Sequence, residues 1–508
     1  MMQHLITLPI LLPLLAGIIL LLPPCGKNLI IRRWTAMFMA LLTLIASTVL
    51  LQQLLQGGPI VYAIGTWQPP FGIVLYADPL AVLLTILTSF LTLVTTIYAS
   101  RGDDKKGSFY HPLTHFLLMG VNGAFLTGDL FNLFVFFEVL LIASYALLMH
   151  KTDKQTTKAA LHYVVLNLVG SSIFLIALGI LYGVLGTLNM ADLATKVAQL
   201  QGDDIYLAKI GGLLLLIVFA LKAALLPLHL WLAATYSRAM PAVAAQFAVM
   251  TKVGIYAMMR VFTMIFGDNA GELSGMATTW LWPLALVTLV VGAVGVLASE
   301  DLRRLTANLV IVSVGTLVAM VALNNEQATA VAIYYLLHST VGCAAMFLVA
   351  DLIGLQRGKV QDRLVNSRSV AEPKLLGICF VLCAIALAGL PPLSGFIAKL
   401  WLLDAAWESK IAWVFWPIYL IVSLATLVAL SRAGTSLFWH DNPQQDEQFE
   451  DAVYAGKRRS FAVLLMLAVP VLMTVFAAPL TEVSQHAAAT LHNTQVAVDT
   501  VFALAKGQ

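Results

Sequence analysis

Charge is scarce in this 508-residue chain: Asp, Glu, Lys and Arg make up 11% of it, against about 25% in soluble domains. Hydrophobic residues reach 60%. That shortage of charge excludes a soluble fold and puts most of the chain in lipid, since about 20 apolar residues span a bilayer. The net charge of +3 is too small to suggest a nucleic-acid partner. Cysteine is sparser still, with four in the chain. Cys25, Cys343, Cys379 and Cys383 fall in or near apolar stretches, without zinc-like spacing or an iron–sulfur framework. Cys379 and Cys383, four apart, share a helix face as small packed thiols. No metal site and no cofactor are expected. With no nucleotide motif and no nucleophile–base pattern, a catalytic enzyme is not expected either. The segment His4 to Leu22 lacks a basic leader and a small-residue cleavage site before Pro23, so it reads as a retained first helix.

What the chain does have is a succession of apolar runs separated by short polar breaks. They predict an all-α polytopic membrane protein of about fourteen spans: 4–23, 34–54, 79–99, 112–128, 130–149, 160–187, 208–231, 241–263, 277–298, 305–323, 328–353, 374–403, 411–433 and 460–480. The stretch 55–78, rich in Gly, Pro, aromatic and β-branched residues, reads as an external hairpin or loop. Alternate loops, from Lys27, Arg32 and Arg33 to Lys457, Arg458 and Arg459, hold 21 of the 29 basic residues; the other side, with Lys196, Lys209, Arg260, Lys410 and Lys506, holds five. The positive-inside rule then places both termini on the outer face.

Three lysines are left over, Lys222, Lys252 and Lys399, and all lie inside spans, as does Glu138. A charged side chain at the bilayer centre costs about 2.5–3.5 kcal/mol, and four unpaired ones roughly 10 kcal/mol, comparable with the stability of a domain. Such groups must face the protein interior, paired or hydrated. A structural ion pair of Glu138 with Lys222 is the plain alternative, but desolvation undercuts such pairs and lysines outnumber carboxylates here. A chain of titratable groups fits better, because burial and a neighbouring carboxylate pull a lysine's proton affinity in opposite directions.

Two of these lysines lie beside proline breaks. Pro227 interrupts the seventh span, five residues after Lys222; Pro391 and Pro392 interrupt the twelfth, before Lys399. Proline removes a donor and clashes with the preceding turn, and broken backbone at membrane depth is tolerated only in protein or beside a wet cavity. Interrupted helices in both halves point to inverted repeats around a midplane ion site. The repeat is imperfect: Lys222 precedes its break, Lys399 follows its own, and Glu138 has no counterpart in the second half. His338, mid-span in the eleventh helix, suits a relay or a hydrogen-bonded packing role. His229 is an accessory candidate that can equally satisfy carbonyls freed by the break. His111, His115 and His162 lie near span ends and are expected at the interface.

The pattern Lys222-x4-Pro227-x-His229-x-Trp231, followed by Pro241 and Lys252-Val253-Gly254-Ile255-Tyr256, resembles the antiporter-like membrane subunits shared by respiratory complex I and Mrp-type antiporters. The run from Gly120 to Glu138 resembles, more narrowly, the D subunit of the Mrp-type (Mnh, Pha) multisubunit Na+/H+ antiporter. The likeness covers nearly the whole chain and is weakest in 55–78 and the tail. After Trp231 the complex I pattern Leu-Pro-x-Ala-His is replaced by Leu232-Ala233-Ala234-Thr235-Tyr236, which favours Mrp; Arg238 is assigned no role. The resemblance implies fourteen helices with two inverted five-helix repeats, broken in the seventh and twelfth, in a bacterial inner membrane. It divides the chain into helices 1–3 (1–110), a first repeat (111–263), a second repeat (277–433), and a cytoplasmic loop, last helix and short tail (434–508). It implies proton translocation along Glu138, Lys222, Lys252, His338 and Lys399. The partners it implies are the other Mrp subunits and membrane lipid, and the transported ions are Na+ (K+ in some members) and H+. The rival readings are a proton-pumping subunit of complex I or a related hydrogenase, and a structural membrane subunit without an ion path.

Overall fold

The computed structural model describes residues 2–150, 153–439 and 453–506; Lys151 and residues 440–452 of the loop after 433 lie outside the described residues. Three helices come first: α1 (Leu8–Leu21), α2 (Leu29–Gly57) and α3 (Pro79–Ala99). Between α2 and α3 the expected hairpin forms from β1 (Ile60–Ala63) and β2 (Val74–Ala77), antiparallel with Ile60 opposite Ala77. The first repeat contains α4 (Tyr110–Leu126), α5 (Leu130–Leu148), α6 (Lys154–Leu185), a short α7 (Met190–Val197), α8 (Asp203–Ala223), α9 (Leu230–Arg238), α10 (Pro241–Phe247) and α11 (Met250–Met259), which widens into a π-helical turn over Arg260–Ile265. The second repeat contains α12 (Thr278–Leu297), α13 (Leu302–Leu323), α14 (Glu326–Gln356), α15 (Pro373–Ala388), α16 (Ser394–Trp407) and α17 (Ala412–Phe438). The chain ends in α18 (Gly456–Val475), α19 (Ala477–His492) and α20 (Thr494–Lys506).

Among the described residues, twelve helices are long and apolar enough to cross a membrane. The 17-residue α4 and the divided α15–α16 complete the fourteen expected spans. Each repeat carries its broken span in fourth place: α8–α9 in the first, α15–α16 in the second. The tail differs from expectation. Residues after 476 form two further helices, with α19 packed on α14 and α3, and α20 against α7 and β1. Their small buried residues, among them Ala487, Ala488 and Ala497, allow that approach.

Burial sorts the helices by role. α2, α6, α12 and α17 each turn a stripe of Leu, Ile, Val and Phe outward, as at Leu168, Ile176, Val294 and Leu424. The stretch from α10 to Ile265, and α13 and α14, are enclosed by other helices along almost their whole length. Polar residues in a membrane protein belong on such enclosed elements, and Lys252, Ser313 and His338 are found there. Two groups of polar residues at span ends are buried. Arg260, counted with the outer loops, is buried (2% exposed). It grips Asp78, the N-cap of α3, by two bonds of 2.7 and 2.9 Å. His111 and His115 are also buried, and His111 bonds Asp104 at 3.1 Å in a cluster with Arg33; His162 is exposed.

Candidate functional site

The two helix breaks are built alike. After α8 ends, Ala224 takes a left-handed conformation (φ 61°, ψ 44°) and the Leu225 N–H turns back to Ala220 O at 2.9 Å. After α15, Gly389 does the same (φ 72°, ψ 44°) and the Leu390 N–H donates to Ile385 O at 3.0 Å. This is the bonding of a helix stop. Proline follows each stop within three residues, as Pro227 after Ala224 and Pro391 after Gly389, so the helix cannot resume at once. At Gly389 a side chain is barred twice: by the backbone conformation and by Lys399, whose Cδ a Cβ would meet at 2.4 Å.

The breaks leave carbonyls without helical partners. Leu221 O accepts from Trp231 Nε1 at 3.2 Å. Ala388 O accepts from Lys399 Nζ at 2.6 Å. His229, weighed for such a task, is half-buried with its ring beside the Pro227 carbonyl at the break; at Leu221 the bond comes from Trp231. Lys399 therefore reaches back to the end of α15, while Lys222 sits in the last turn of α8. Both ammonium groups stand at the C-terminal end of the half-helix before the break, where the helix dipole favours a cation. The asymmetry seen along the chain disappears in space.

Lys222 is buried, and its Nζ donates to Asn167 Oδ1 on α6 at 3.1 Å; the Asn167 amide is held by its own bond to Tyr163 O at 2.8 Å. One turn along α6, Ser171 donates to the Glu138 carboxylate on α5. Thus α6 sets Glu138 and Lys222 on adjacent turns, with the ammonium 5.9 Å from the Phe137 ring. No ion pair joins Glu138 to Lys222 among the described residues. Next, α8 packs against α11, which carries Lys252. That side chain is fully enclosed, and its Nζ donates to Ser313 Oγ on α13 at 2.7 Å.

Ser313 opens onto an internal cavity of about 30 Å³, also lined by Tyr335, His338, Lys399, Tyr419 and Ser423. That is room for one or two waters among polar groups. On its wall, His338 Nδ1 is 2.8 Å from Ser394 Oγ, the first residue of α16. Lys399 Nζ also donates to Ser423 Oγ at 3.0 Å. A Cβ at position 395 would lie 2.0 Å from Ala386 O and 2.9 Å from His338 Nε2, so glycine lets α16 start close enough to α15 for this wall to form. The structure brings His338 and Lys399 to one cavity, which Lys252 meets only through Ser313, and Glu138 with Lys222 beside α6. What sequence reasoning missed are the neutral partners, Asn167, Ser171, Ser313, Ser394 and Ser423. Their only signal was polarity inside apolar runs. Among the described residues no three His, Cys, Asp or Glu side chains cluster as metal ligands.

Residues 127–427 match the family described as NADH:quinone oxidoreductase/Mrp antiporter, TM. The chain is 40% identical over 471 residues to a probable K(+)/H(+) antiporter D subunit of Rhizobium meliloti, covering 86% of this chain and 87% of that protein. This chain belongs to the family of Mrp antiporter D subunits. It is 37% identical to the Na(+)/H(+) antiporter D subunit of Alkalihalophilus pseudofirmus, over 88% of this chain and 89% of the relative. Among solved structures, a chain of the Mrp complex from Dietzia sp. superposes with a TM-score of 0.87 at 28% identity, covering 98% of this chain and 99% of that one. A chain of respiratory complex I from Thermus thermophilus shares the fold, with a TM-score of 0.78 at 22% identity over 97% and 100% of the two chains.

Proposed function

We propose that this chain is the D subunit of a bacterial monovalent cation/proton antiporter, working with the other Mrp subunits in a lipid membrane, and that protons cross it along Glu138, Lys222, Lys252, His338 and Lys399. It is a transporter subunit, multi-pass in the inner membrane, with both termini on the outer side and repeats at 111–263 and 277–433. Na+, or K+ as in the Rhizobium relative's name, is the exchanged cation.

The observation that carries the proton path is the character of the lysine partners. Lys252 and Lys399 bond to Ser313 and Ser423, and Lys222 to Asn167, none of them ionised. A carboxylate partner would hold the proton and be left bare when the lysine lost it. A serine hydroxyl accepts from an ammonium and, rotated, donates to a neutral amine, so both states are satisfied and the proton is free to move. Glu138, one turn of α6 away from the Lys222 site, tunes that lysine by its charge. Lys252 is the central carrier. Water in the 30 Å³ cavity joins the Ser313 side to His338 and Lys399, which leads to one exit. A redox-driven pump uses similar charges, but the relatives with 37–40% identity are antiporter D subunits, whereas the likeness to complex I is one of fold.

The test is Na+- or K+-dependent collapse of a pH gradient in inverted vesicles from an antiporter-deficient host expressing the whole operon. Wild type shows cation-dependent proton movement. Glu138→Ala, Lys222→Ala and Lys252→Ala assemble on native gels and lose it by about 100-fold, the scale of a lost proton-transfer group. Normal transport in the assembled variants would make these charges structural.

A further inference from the structure

A second polar feature lies on the inner face, outside the row. It is a cleft of about 310 Å³ lined by Lys106, Met240, Pro241, Arg303 and Asp351, among others. These residues come from the α3–α4 loop, the α9–α10 turn, the start of α13 and the end of α14, all on the side of the basic loops. Asp351 accepts a 2.6 Å bond from the Tyr98 hydroxyl of α3. The cations around it have other carboxylates: Arg303 holds Asp362 at 2.7 Å, Lys106 holds Asp103 at 2.9 Å, and Arg459 of α18 lies 3.8 Å from Asp103 while its guanidinium covers the Tyr98 ring. Asp351 thus stands in a ring of charges, Asp103, Arg303 and Arg459, with no ion pair of its own among the described residues.

Inward from the cleft runs α10. Its Gln246 is buried, and Nε2 donates to Thr92 Oγ1 of α3 at 3.1 Å. Gln246 Oε1 has no hydrogen-bond partner among the described residues. Neither has Thr96 Oγ1, one turn from Thr92 toward the cleft, nor Thr251 Oγ1, next in chain to Lys252. All three side chains are at most 1% exposed. Buried polar atoms are nearly always bonded, and where protein provides no partner, water does. At 1.5 Å per residue, Gln246 lies roughly 7–8 Å along α10 from the cleft at Pro241, and Lys252 begins less than two turns later.

We propose that this cleft is the inner mouth of a water-filled proton port to Lys252, with Asp351 as the group that exchanges protons with the cytoplasm. It rests on the reading of Lys252 as a proton carrier. When external protons move inward, the Lys252 ammonium gives a proton to water held by Thr251, Gln246, Thr92 and Thr96. The Asp351 carboxylate takes a proton from the other end of that water and releases it to the cytoplasm; its bond to Tyr98 re-forms as it ionises. As Lys252 becomes neutral, the Ser313 hydroxyl turns from Val310 O to donate to the amine.

The experiment uses the whole complex in inverted vesicles, with Asp351→Asn, Asp351→Glu and Lys252→Ala side by side. Asp351→Asn is expected to assemble, to transport about 100-fold more slowly, and to lose the wild type's dependence on medium pH while its half-saturating Na+ concentration stays unchanged. Asp351→Glu restores both rate and pH profile. Wild-type behaviour of Asp351→Asn in a series where Lys252→Ala is inactive overturns the port and leaves the row standing. A changed Na+ dependence with an unchanged pH profile overturns it too, by assigning Asp351 to the cation. An active Lys252→Ala removes the port together with the row. A second measurement does not need transport. The four native cysteines are buried, so Met240→Cys and Thr92→Cys are probed with a membrane-impermeant thiol reagent. Both are expected to react in inside-out vesicles and not in right-side-out ones. A Thr92→Cys that fails to react from the inner side overturns the port.

Discussion

Replacing Arg260 by Met tests a buried long-range ion pair of the fold. The guanidinium gives Asp78 two bonds, at 2.7 and 2.9 Å, with Asp78 fully buried and Arg260 2% exposed. It also lies 5.5 and 5.2 Å from the rings of Tyr76 and Tyr256. Removing one member of such a pair strands the other charge out of water and costs about 3–5 kcal/mol, a large part of a usual 5–15 kcal/mol stability. Asp78→Asn should cost nearly as much for the opposite reason. Asn caps a helix as well as Asp does, so the cap that Asp78 gives the Ala81 N–H survives and the loss reports the pair. The double variant leaves neither charge stranded, and its cost should fall to about 1–2 kcal/mol, since replacing both members of a buried pair is often close to neutral. Thermal unfolding of the solubilised complex, run as a double-mutant cycle, reads the coupling directly. If the two single losses add in the double variant to within about 0.5 kcal/mol, the pair is not coupled and the argument is wrong.

Three further outcomes follow from the site. Gly395→Ala places a Cβ 2.0 Å from Ala386 O; overpacking of about 1–3 kcal/mol should push α16 from α15, part His338 from Ser394, and lower cation-driven proton flux with the complex still assembled. Ser313→Ala removes the acceptor of Lys252, a loss of about 1.5–3 kcal/mol for a bond to a charged group, and should slow transport, whereas Ser313→Thr should keep it; equal rates in the two variants would rule out the role given to the hydroxyl. Outside the membrane, burial raises the Asp104 carboxyl, but bonds from Arg33 and His111 outweigh it and bring it down from 3.8 to about 2. A lowered carboxyl stabilises the fold above its unfolded value and loses that effect as pH falls toward 2, so Asp104→Asn should flatten the melting-temperature profile between about pH 4 and pH 2.

Much of this was legible in the chain. Apolar runs alone set out the spans, and the helix ends fall close to the expected bounds, as for 130–149 against α5 (Leu130–Leu148). Lys222, Lys252, Lys399 and Glu138 were visible as charges with no loop to belong to. The hairpin at 55–78 was visible in its Gly, Pro and β-branched residues. Arg260 was not, because a charge near the expected end of a span looks interfacial until its partner is known, and that partner is 182 positions away. The helices of the tail were not legible either: α19 and α20 are shorter than a membrane span, and they pack on α14, α3 and α7.

The sequence by itself determined which stretches are apolar enough to span a membrane and which charges must be hidden. These follow from the cost of moving each side chain into hydrocarbon, which is local and sums along the chain. Only the tertiary structure decided what each hidden charge meets. Lys222 and Lys399 lie on opposite sides of their breaks in sequence, yet both ammoniums stand at the end of the first half-helix, because Lys399 folds back onto Ala388 O. Lys252 meets a serine 61 residues away, and the cavity beyond it has walls from α13, α14, α16 and α17. A hydrogen bond needs its partner within about 3 Å, and which partners come that close depends on how whole helices pack, a property that no single stretch of sequence carries.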